Sequence, residues 1–141
     1  MKTVNNTIPL SIMLVCFCLA VLGVSSVSAE ESESTQATVD YNLDVRPILA
    51  DNCFACHGPD AKTREANLRF DTKAGAFSEP SGYPVIVPGK PGESELYLRV
   101  ASNVDNYRMP PAGFNKTLTP EQIDVITQWI REGAKWEEHW A

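Results

Sequence analysis

Cys53-Phe54-Ala55-Cys56-His57 is the stretch that decides how the rest of this 141-residue sequence is interpreted. The two residues between the cysteines place both thiols within reach of the two vinyl groups on one edge of a porphyrin. The adjacent His57 can then bind iron through a neutral imidazole nitrogen. This pattern is typical of covalent haem attachment in exported proteins. We therefore predict one covalently attached haem c, bound through Cys53 and Cys56, with His57 as the proximal iron ligand.

Other uses of the same residues stay open at this point. A disulfide between Cys53 and Cys56 would make a redox-exchange motif, but the βαβ pattern expected around such a motif is missing from the sequence. A structural zinc ion would need Cys53, Cys56, His57 and His139, and this spacing is unlike that of known zinc sites. A chance match is the third alternative. Covalent haem is favoured over all three.

The N-terminus predicts export. Residues 8–24 are mostly apolar, and Val27-Ser28-Ala29 provides small residues for signal cleavage. We predict a signal peptide over residues 1–29, an acidic flexible leader over 30–39 and one domain over 40–141, located in the periplasm or otherwise outside the cytoplasm. An uncleaved membrane anchor is the alternative, because the apolar stretch approaches the length of a short transmembrane span. Cys16 and Cys18 fall in this segment, so cleavage leaves only two cysteines.

The charge of the mature chain restricts its partners. Without residues 1–29 the chain keeps 11 basic and 18 acidic residues, a net charge of −7. This acidity argues against binding to nucleic acid and, after signal cleavage, against association with an anionic membrane. It mildly favours a basic or neutral redox partner protein, which the sequence does not identify.

A second axial ligand for the iron is expected from Met109, the one methionine of the mature chain. It lies in Arg108-Met109-Pro110-Pro111, where two prolines stiffen the backbone and favour an extended path. A thioether on a rigid loop can be held near iron at little entropic cost. The alternatives are that Met109 only fills a gap in the core, or that His139 takes the position. We predict Met109 as the distal ligand.

The periodicity of apolar residues predicts an all-α fold of about four short helices joined by long Pro- and Gly-rich loops. We expect the first helix from Asn42 or Asp44 to Asp51, a second over 72–77 and a third from Pro91 through Val100. The last helix is expected to begin at Pro120, with a capping box of Thr119 and Gln122, and to stop at Gly133. Val85-Ile86-Val87 is the one strand signal. Candidate walls of the haem crevice are Leu68, Phe70, Leu96, Ile126 and Trp129. Candidate donors to a haem propionate are Tyr97, Arg108 and Trp129.

With these residues in hand, the chain resembles the planctomycete-type cytochrome c domain, a branch of the class I cytochromes. The matching stretches are Asp44 to Leu49, Asn52 to Pro59 (NCFACHGP), Val87 to Pro91 through Glu95-Leu96, Arg108 to Pro111, Leu118 to Gln122, Trp129-Ile130 through Gly133-Ala134, and the tail His139-Trp140-Ala141. They span roughly residues 40–141. The resemblance implies the cytochrome c fold, a covalent haem, and iron ligation by His57 and Met109.

The expected function is one-electron transfer by a monohaem c-type cytochrome, because iron with both axial positions filled has no open site for a substrate. We do not expect this chain to be an enzyme. In the family the domain typically opens a longer secreted protein, so the alternative is an electron-accepting haem module, or fragment, of a larger periplasmic oxidoreductase. A haem enzyme or gas sensor would require Met109 to leave the iron.

Overall fold

The computed structural model of the protein describes residues 38–138. Within this range the chain is all-α, as predicted, with five α-helices: α1 Arg46–Asn52, α2 Phe54–His57, α3 Lys73–Ala76, α4 Glu95–Val100 and α5 Pro120–Arg131. The predicted signal peptide (1–29), most of the predicted leader and His139 lie outside the described residues. Four of the helices correspond to the predicted ones. The fifth, α2, is formed by the Cys-His motif itself.

The first predicted helix forms as two continuous pieces. One turn of π-helix over Tyr41–Val45 leads directly into α1, which begins at Arg46. The Asp40 side chain caps the start by accepting a hydrogen bond of 2.8 Å from the Leu43 backbone N–H. Pro47 lies in the first turn of α1, where a helix tolerates a missing N–H.

The last helix, α5, begins as its sequence predicts. Thr119 Oγ1 accepts a hydrogen bond from Gln122 N at 3.3 Å, and Gln122 Oε1 accepts one from Thr119 N at 3.0 Å. Pro120 is the first residue of the helix. The helix ends at Arg131, and Gly133 then adopts a φ of +99°, which favours glycine. The capping box and the stop are confirmed.

The core forms where α5 packs against the π-helical turn Tyr41–Val45. Ile126, Trp129 and Ile130 of α5 are almost fully buried, as are Val45 and Leu49 on the opposite side. Each such apolar side chain stabilises the folded state by about 1.5–3 kcal/mol. An aromatic group made of Tyr41, Trp129 and Trp136 closes one end of the core, with Tyr41 centroids 5.6 Å from Trp129 and 4.2 Å from Trp136.

The third helix begins later than predicted. Pro91–Glu93 form a turn of 3₁₀-helix, and α4 starts only at Glu95. The break falls at Ser94, which is fully buried and extended, with φ −100° and ψ 117°. Its Oγ accepts a hydrogen bond from Val87 N and donates one to Lys90 O, both at 2.9 Å. These buried hydrogen bonds hold the loop to the helix and prevent a continuous α-helix.

The strand signal at Val85-Ile86-Val87 does not correspond to a strand, since residues 38–138 contain none, in keeping with the predicted all-α class. Val85 and Ile86 are buried in the core as an extended loop segment. The backbone N–H of Val85 donates to Ser78 O at 3.1 Å, and its carbonyl accepts from Leu96 N at 3.0 Å. These two hydrogen bonds, one to a loop residue and one to a helix residue, satisfy the backbone N–H and carbonyl of Val85 without a second strand.

Candidate functional site

All four residues predicted to hold the cofactor line a single cavity. Cys53, Cys56, His57 and Met109 face a space of about 380 Å³ between α2, α4 and the loop before α5. Most of the other lining side chains are apolar, among them Leu68, Phe70, Val85, Leu96, Val100, Pro110, Pro111 and Phe114. Two thiols, an imidazole and a thioether in an apolar cavity are the donor set that a covalent haem requires. The residues present therefore fit the group.

The Cys-His motif forms its own short helix, which the sequence analysis did not predict. Cys53, with φ −121° and ψ −34°, lies between the end of α1 at Asn52 and the four-residue helix α2, which begins at Phe54. Cys53 O accepts hydrogen bonds from Cys56 N at 3.1 Å and from His57 N at 2.7 Å. This turn brings the two cysteines, three residues apart, to the same side of the chain. The motif is thus set in place by the end of α1 and not by a loop.

The two thiols are not linked to each other. Both cysteines are free and partly buried. Burial raises the pKa of the Cys53 thiol to about 12, with a smaller contribution from neighbouring Cys56. Within residues 38–138 no three His, Cys, Asp or Glu side chains group closely enough to hold a metal ion. His139, the fourth ligand in the zinc alternative, lies outside the described residues.

The imidazole of His57 is oriented by a backbone carbonyl. Its Nδ1 lies 3.3 Å from the carbonyl oxygen of Glu65. A carbonyl can only accept, so Nδ1 donates its proton and Nε2 keeps a free lone pair. Burial lowers the pKa of His57 below its ordinary value, which favours the neutral ring. Phe70 supports the ring edge-on, with centroids 5.8 Å apart. Sequence alone could not identify the Glu65 carbonyl.

A net of backbone hydrogen bonds fixes the loop that follows His57. Glu65 N donates to Cys56 O at 2.7 Å, and Phe70 N donates to His57 O at 2.8 Å. The Arg64 guanidinium donates to the carbonyls of Gly58 at 3.1 Å and Pro59 at 2.7 Å. The loop is therefore hydrogen-bonded to both Cys56 and His57, and these bonds hold the Glu65 carbonyl near the imidazole.

Gly58 permits a close approach directly after the motif. A Cβ atom at this position would lie 2.3 Å from the carbonyl oxygen of Phe54, the first residue of α2. No side chain fits at that distance without a movement of the backbone. The tight turn after His57 therefore depends on glycine because of space, since its φ of −118° is open to any residue.

Met109 lies between α4 and α5, where the predicted topology places it. Its backbone N–H donates to the Arg99 carbonyl of α4 at 3.0 Å. Pro111 is extended, with ψ 154°, and the Met109–Pro110 peptide bond is cis. Further along the loop, Lys116 Nζ lies 2.7 Å from Asp51 Oδ1 on α1. The methionine loop is thus attached both to α4 and to the helix that precedes Cys53.

The predicted walls of the crevice are correct in part. Leu68, Phe70 and Leu96 line the cavity, whereas Ile126 and Trp129 belong to the core behind it. Neither side chain lines the cavity, and the Trp129 ring packs instead against Tyr41, with centroids 5.6 Å apart. Tyr83 and Phe114 line the cavity and were not predicted.

The predicted propionate donors do not line the cavity. Trp129 Nε1 donates to Lys135 O at 2.9 Å, so its one donor is already used. Tyr97 packs against the core. Arg108 lines a different cleft and lies 3.7 Å from Asp105 Oδ1. Arg99 on α4 is the cation that lines the cavity instead. The sequence feature that points to Arg99 is its spacing of four from Glu95, because this spacing places both side chains on one face of α4.

Comparison with protein families bears directly on this cavity. Residues 53–113 match the family described as Planctomycete cytochrome C. The match begins at Cys53 and runs past Met109, so it contains both cysteines, His57 and the methionine loop. It confirms the resemblance seen in the sequence. No curated protein and no solved structure shows a significant match to the chain.

The family match gives a general indication of what residues 53–113 do. A cytochrome c domain indicates covalent haem c and haem-based electron transfer, by a module that carries electrons and not by a catalytic one. Domains of this kind are typically exported. Among residues 38–138, no helix is long and apolar enough to cross a membrane.

Proposed function

We propose that the protein is a monohaem c-type cytochrome that transfers single electrons outside the cytoplasm. Cys53 and Cys56 carry the haem through two thioether bonds, His57 is the proximal iron ligand and Met109 is the distal one. The observation that carries the proposal is that these four side chains line one apolar cavity within a region that matches a cytochrome c family.

The haem supplies a one-electron couple at its iron, and the protein supplies the environment. The Glu65 carbonyl, by accepting from His57 Nδ1, keeps the proton away from Nε2 and makes that nitrogen a stronger ligand. The loop attached at Arg99 and Asp51 holds the Met109 thioether at the cavity. The apolar walls exclude water, which together with a thioether ligand favours the reduced state and a relatively high potential.

With His57 and Met109 both bound, a haem iron would have no coordination position left for a substrate, which supports electron transfer over haem enzymology. The acidic surface, with a net charge of −7 after signal cleavage, favours a redox partner that is basic or neutral at its docking face.

The proposal is tested by a potentiometric titration of the exported protein, produced together with a cytochrome c maturation system. A reversible transition that follows a one-electron Nernst curve, with a low-spin spectrum in both states, is the expected result. The reduced protein should not bind carbon monoxide, because Met109 occupies the sixth position. Rapid carbon monoxide binding, or turnover of peroxide comparable to that of a peroxidase, would show an open iron site and contradict the proposal.

Export is tested on the same preparation. The mature protein in the periplasmic fraction should begin at Glu30, as measured by the mass of the intact chain. Recovery of a chain that retains residues 1–29 in the membrane fraction would instead support the membrane-anchor alternative.

A further inference from the structure

A tight turn lies directly beside the imidazole of His57. The backbone N–H of Leu68 donates to the carbonyl oxygen of Glu65 at 3.1 Å. The two residues between them, Ala66 and Asn67, have φ angles of +51° and +53°. A hydrogen bond across four residues with two positive φ angles at its centre is the pattern of a type I′ turn. The carbonyl that lies beside His57 Nδ1 is therefore also the first carbonyl of this turn.

This left-handed turn, residues 65–68, contains one residue that suits it poorly. Type I′ turns favour glycine, asparagine and aspartate at both central positions. Asn67 meets this preference, because a short polar side chain tolerates positive φ. Ala66 does not, since its Cβ crowds the backbone at positive φ. The surrounding structure must therefore hold Ala66 in a strained conformation.

Hydrogen bonds on both sides of the turn hold it in this conformation. The backbone N–H of Glu65 donates to Cys56 O at 2.7 Å. Beyond the turn, the backbone N–H of Phe70 donates to His57 O at 2.8 Å. Both acceptors belong to the Cys-His motif, so the chain on either side of Ala66 is attached to the residues proposed to bind the haem. The positive φ of Ala66 persists because its flanks are fixed.

The φ of Ala66 decides where the Glu65 carbonyl points. A carbonyl oxygen has two lone pairs, and here they accept from Leu68 N at 3.1 Å and from His57 Nδ1 at 3.3 Å. The peptide unit that carries this oxygen is bounded by ψ of Glu65 and φ of Ala66. A negative φ at Ala66, with the flanks still attached, would rotate this unit and turn the oxygen away from both donors.

We propose that the left-handed turn, held by positive φ at Ala66 and Asn67, aims the Glu65 carbonyl at the imidazole and thereby sets the reduction potential. This inference deepens the proposed function and rests on it. Ala66 and Asn67 are positioning residues, since they act through His57. A carbonyl that accepts from Nδ1 makes Nε2 a stronger ligand, which favours oxidised iron and lowers the potential. Loss of the turn should therefore raise the potential.

The test compares variants of the exported holoprotein by their midpoint potentials. Ala66→Val places a β-branched side chain at a positive φ, which such side chains strongly disfavour, and should open the turn. The potential should rise by about tenfold in the equilibrium constant for reduction, which is about 59 mV for one electron. Ala66→Gly is the matched control, because glycine adopts positive φ freely and keeps the turn. Its potential should stay close to that of wild type, and its melting temperature should not fall.

The same two substitutions at Asn67 separate the turn from the cavity wall. Ala66 lines the cavity, so a larger side chain there could also act on the haem directly. Asn67 is exposed and is not among the residues that line the cavity. Asn67→Val should therefore raise the potential as Ala66→Val does, and Asn67→Gly should leave it unchanged.

Hydrogen exchange links the potential to the turn. In the reduced, diamagnetic protein, the Nδ1 proton of His57 and the backbone N–H of Leu68 should exchange slowly with water, because both are bonded to the Glu65 carbonyl. Both glycine variants should retain this protection. Both valine variants should exchange these protons faster, together with their higher potentials.

The outcomes separate this inference from the function on which it depends. If the wild-type protein carries no haem, the proposed function fails. If it carries haem and the valine variants keep the wild-type potential, only the role of the turn is wrong. A rise in Ala66→Val but not in Asn67→Val would mean that the added side chain acts on the cavity, which also overturns the inference. So would a rise in the glycine variants as large as that in the valine variants.

A second comparison applies if neither valine variant matures. The exchange rate of the His57 Nδ1 proton is then measured in wild type and in Ala66→Gly. A rate in the glycine variant that equals or falls below that of wild type supports the role of the turn, because glycine removes the strain and retains the conformation. A faster rate contradicts it.

Discussion

The carbonyl oxygen of Glu65 lies 3.3 Å from Nδ1 of His57, eight residues earlier in the chain. This contact fixes which imidazole nitrogen carries the proton, and therefore which one can bind iron. It is made by the backbone, so the identity of the Glu65 side chain does not matter for it. The backbone N–H of Glu65 holds the contact in place by donating to Cys56 O at 2.7 Å.

Glu65→Pro should therefore raise the reduction potential. Proline removes the N–H that bonds to Cys56 and displaces the carbonyl, so the imidazole becomes a weaker donor and stabilises oxidised iron less. Glu65→Gln is the matched control, because it removes the same negative charge and leaves the backbone intact. The difference in midpoint potential between the two variants measures the hydrogen bond. Equal potentials in two folded variants would show that the Glu65 carbonyl does not tune the ligand.

Gly58→Ala should destabilise the fold at the motif. The added Cβ would lie 2.3 Å from Phe54 O, so the backbone after His57 must move, at a cost of about 1–3 kcal/mol in the free energy of unfolding. Gly92→Ala is the control, since nothing lies within 4 Å of a Cβ at that position. Denaturant unfolding of the two holoproteins measures the effect. Equal stability of the two variants would mean that the turn after His57 is less tight than the structure indicates.

Met109→Ala should abolish the weak near-infrared band that arises from sulfur-to-iron charge transfer in the oxidised protein, and it should lower the potential. His139→Ala tests the rival ligand and should change neither property. Both measurements need only the purified cytochrome. If the wild-type protein lacks this band, Met109→Ala leaves the spectrum and the potential unchanged, and His139→Ala changes both, the ligand assignment is reversed and Met109 only packs the cavity.

Acid should weaken the fold partly through Asp71. The hydrogen-bonded Arg69 guanidinium, whose Nε lies 2.9 Å from Asp71 Oδ1, lowers the pKa of this carboxyl below its usual value. Folding then favours the ionised form. The pair stabilises the protein above the ordinary aspartate pKa of about 4, and this contribution is lost as the pH falls through the lower pKa of the folded state.

Asp71→Asn should accordingly lower the melting temperature at pH 7 by roughly 2–5 °C, as expected of a partly exposed pair. The difference from wild type should shrink as the pH is reduced below about 4. Asp124→Asn, at an exposed position on α5, serves as the control, because it removes a carboxylate and leaves the Arg69–Asp71 pair intact. A difference between Asp71→Asn and wild type that stays constant from pH 7 to pH 3 would contradict the role of the pair.

Local patterns account for the features that the sequence predicts well. The capping box at Thr119 and Gln122 uses residues three apart, and the spacing of Cys53, Cys56 and His57 lies within one helical turn. Their geometry depends on nearby backbone only, so it can be derived without the rest of the fold. The position of Met109 follows from a stiff proline segment between two helices.

Features that depend on distant contacts could not be predicted in this way. The third helix starts at Glu95 because buried Ser94 bonds to Val87, a contact with a loop seven residues earlier. Arg99 and Arg108 look alike in sequence, and only the packing of α4 places Arg99 on the cavity wall and Arg108 in another cleft. Trp129 was a candidate for the crevice, yet its contact with Tyr41 places it in the core.

The most direct test of the account is whether haem is bound covalently through Cys53 and Cys56. The exported protein is denatured, separated by electrophoresis and stained for haem peroxidase activity, and its pyridine haemochrome spectrum is recorded. We expect a stained band at the size of the mature chain, a spectrum typical of two thioether bonds, and loss of the stain in the double variant Cys53→Ala/Cys56→Ala. Release of all the haem into acidified organic solvent from the wild-type protein would contradict the central claim.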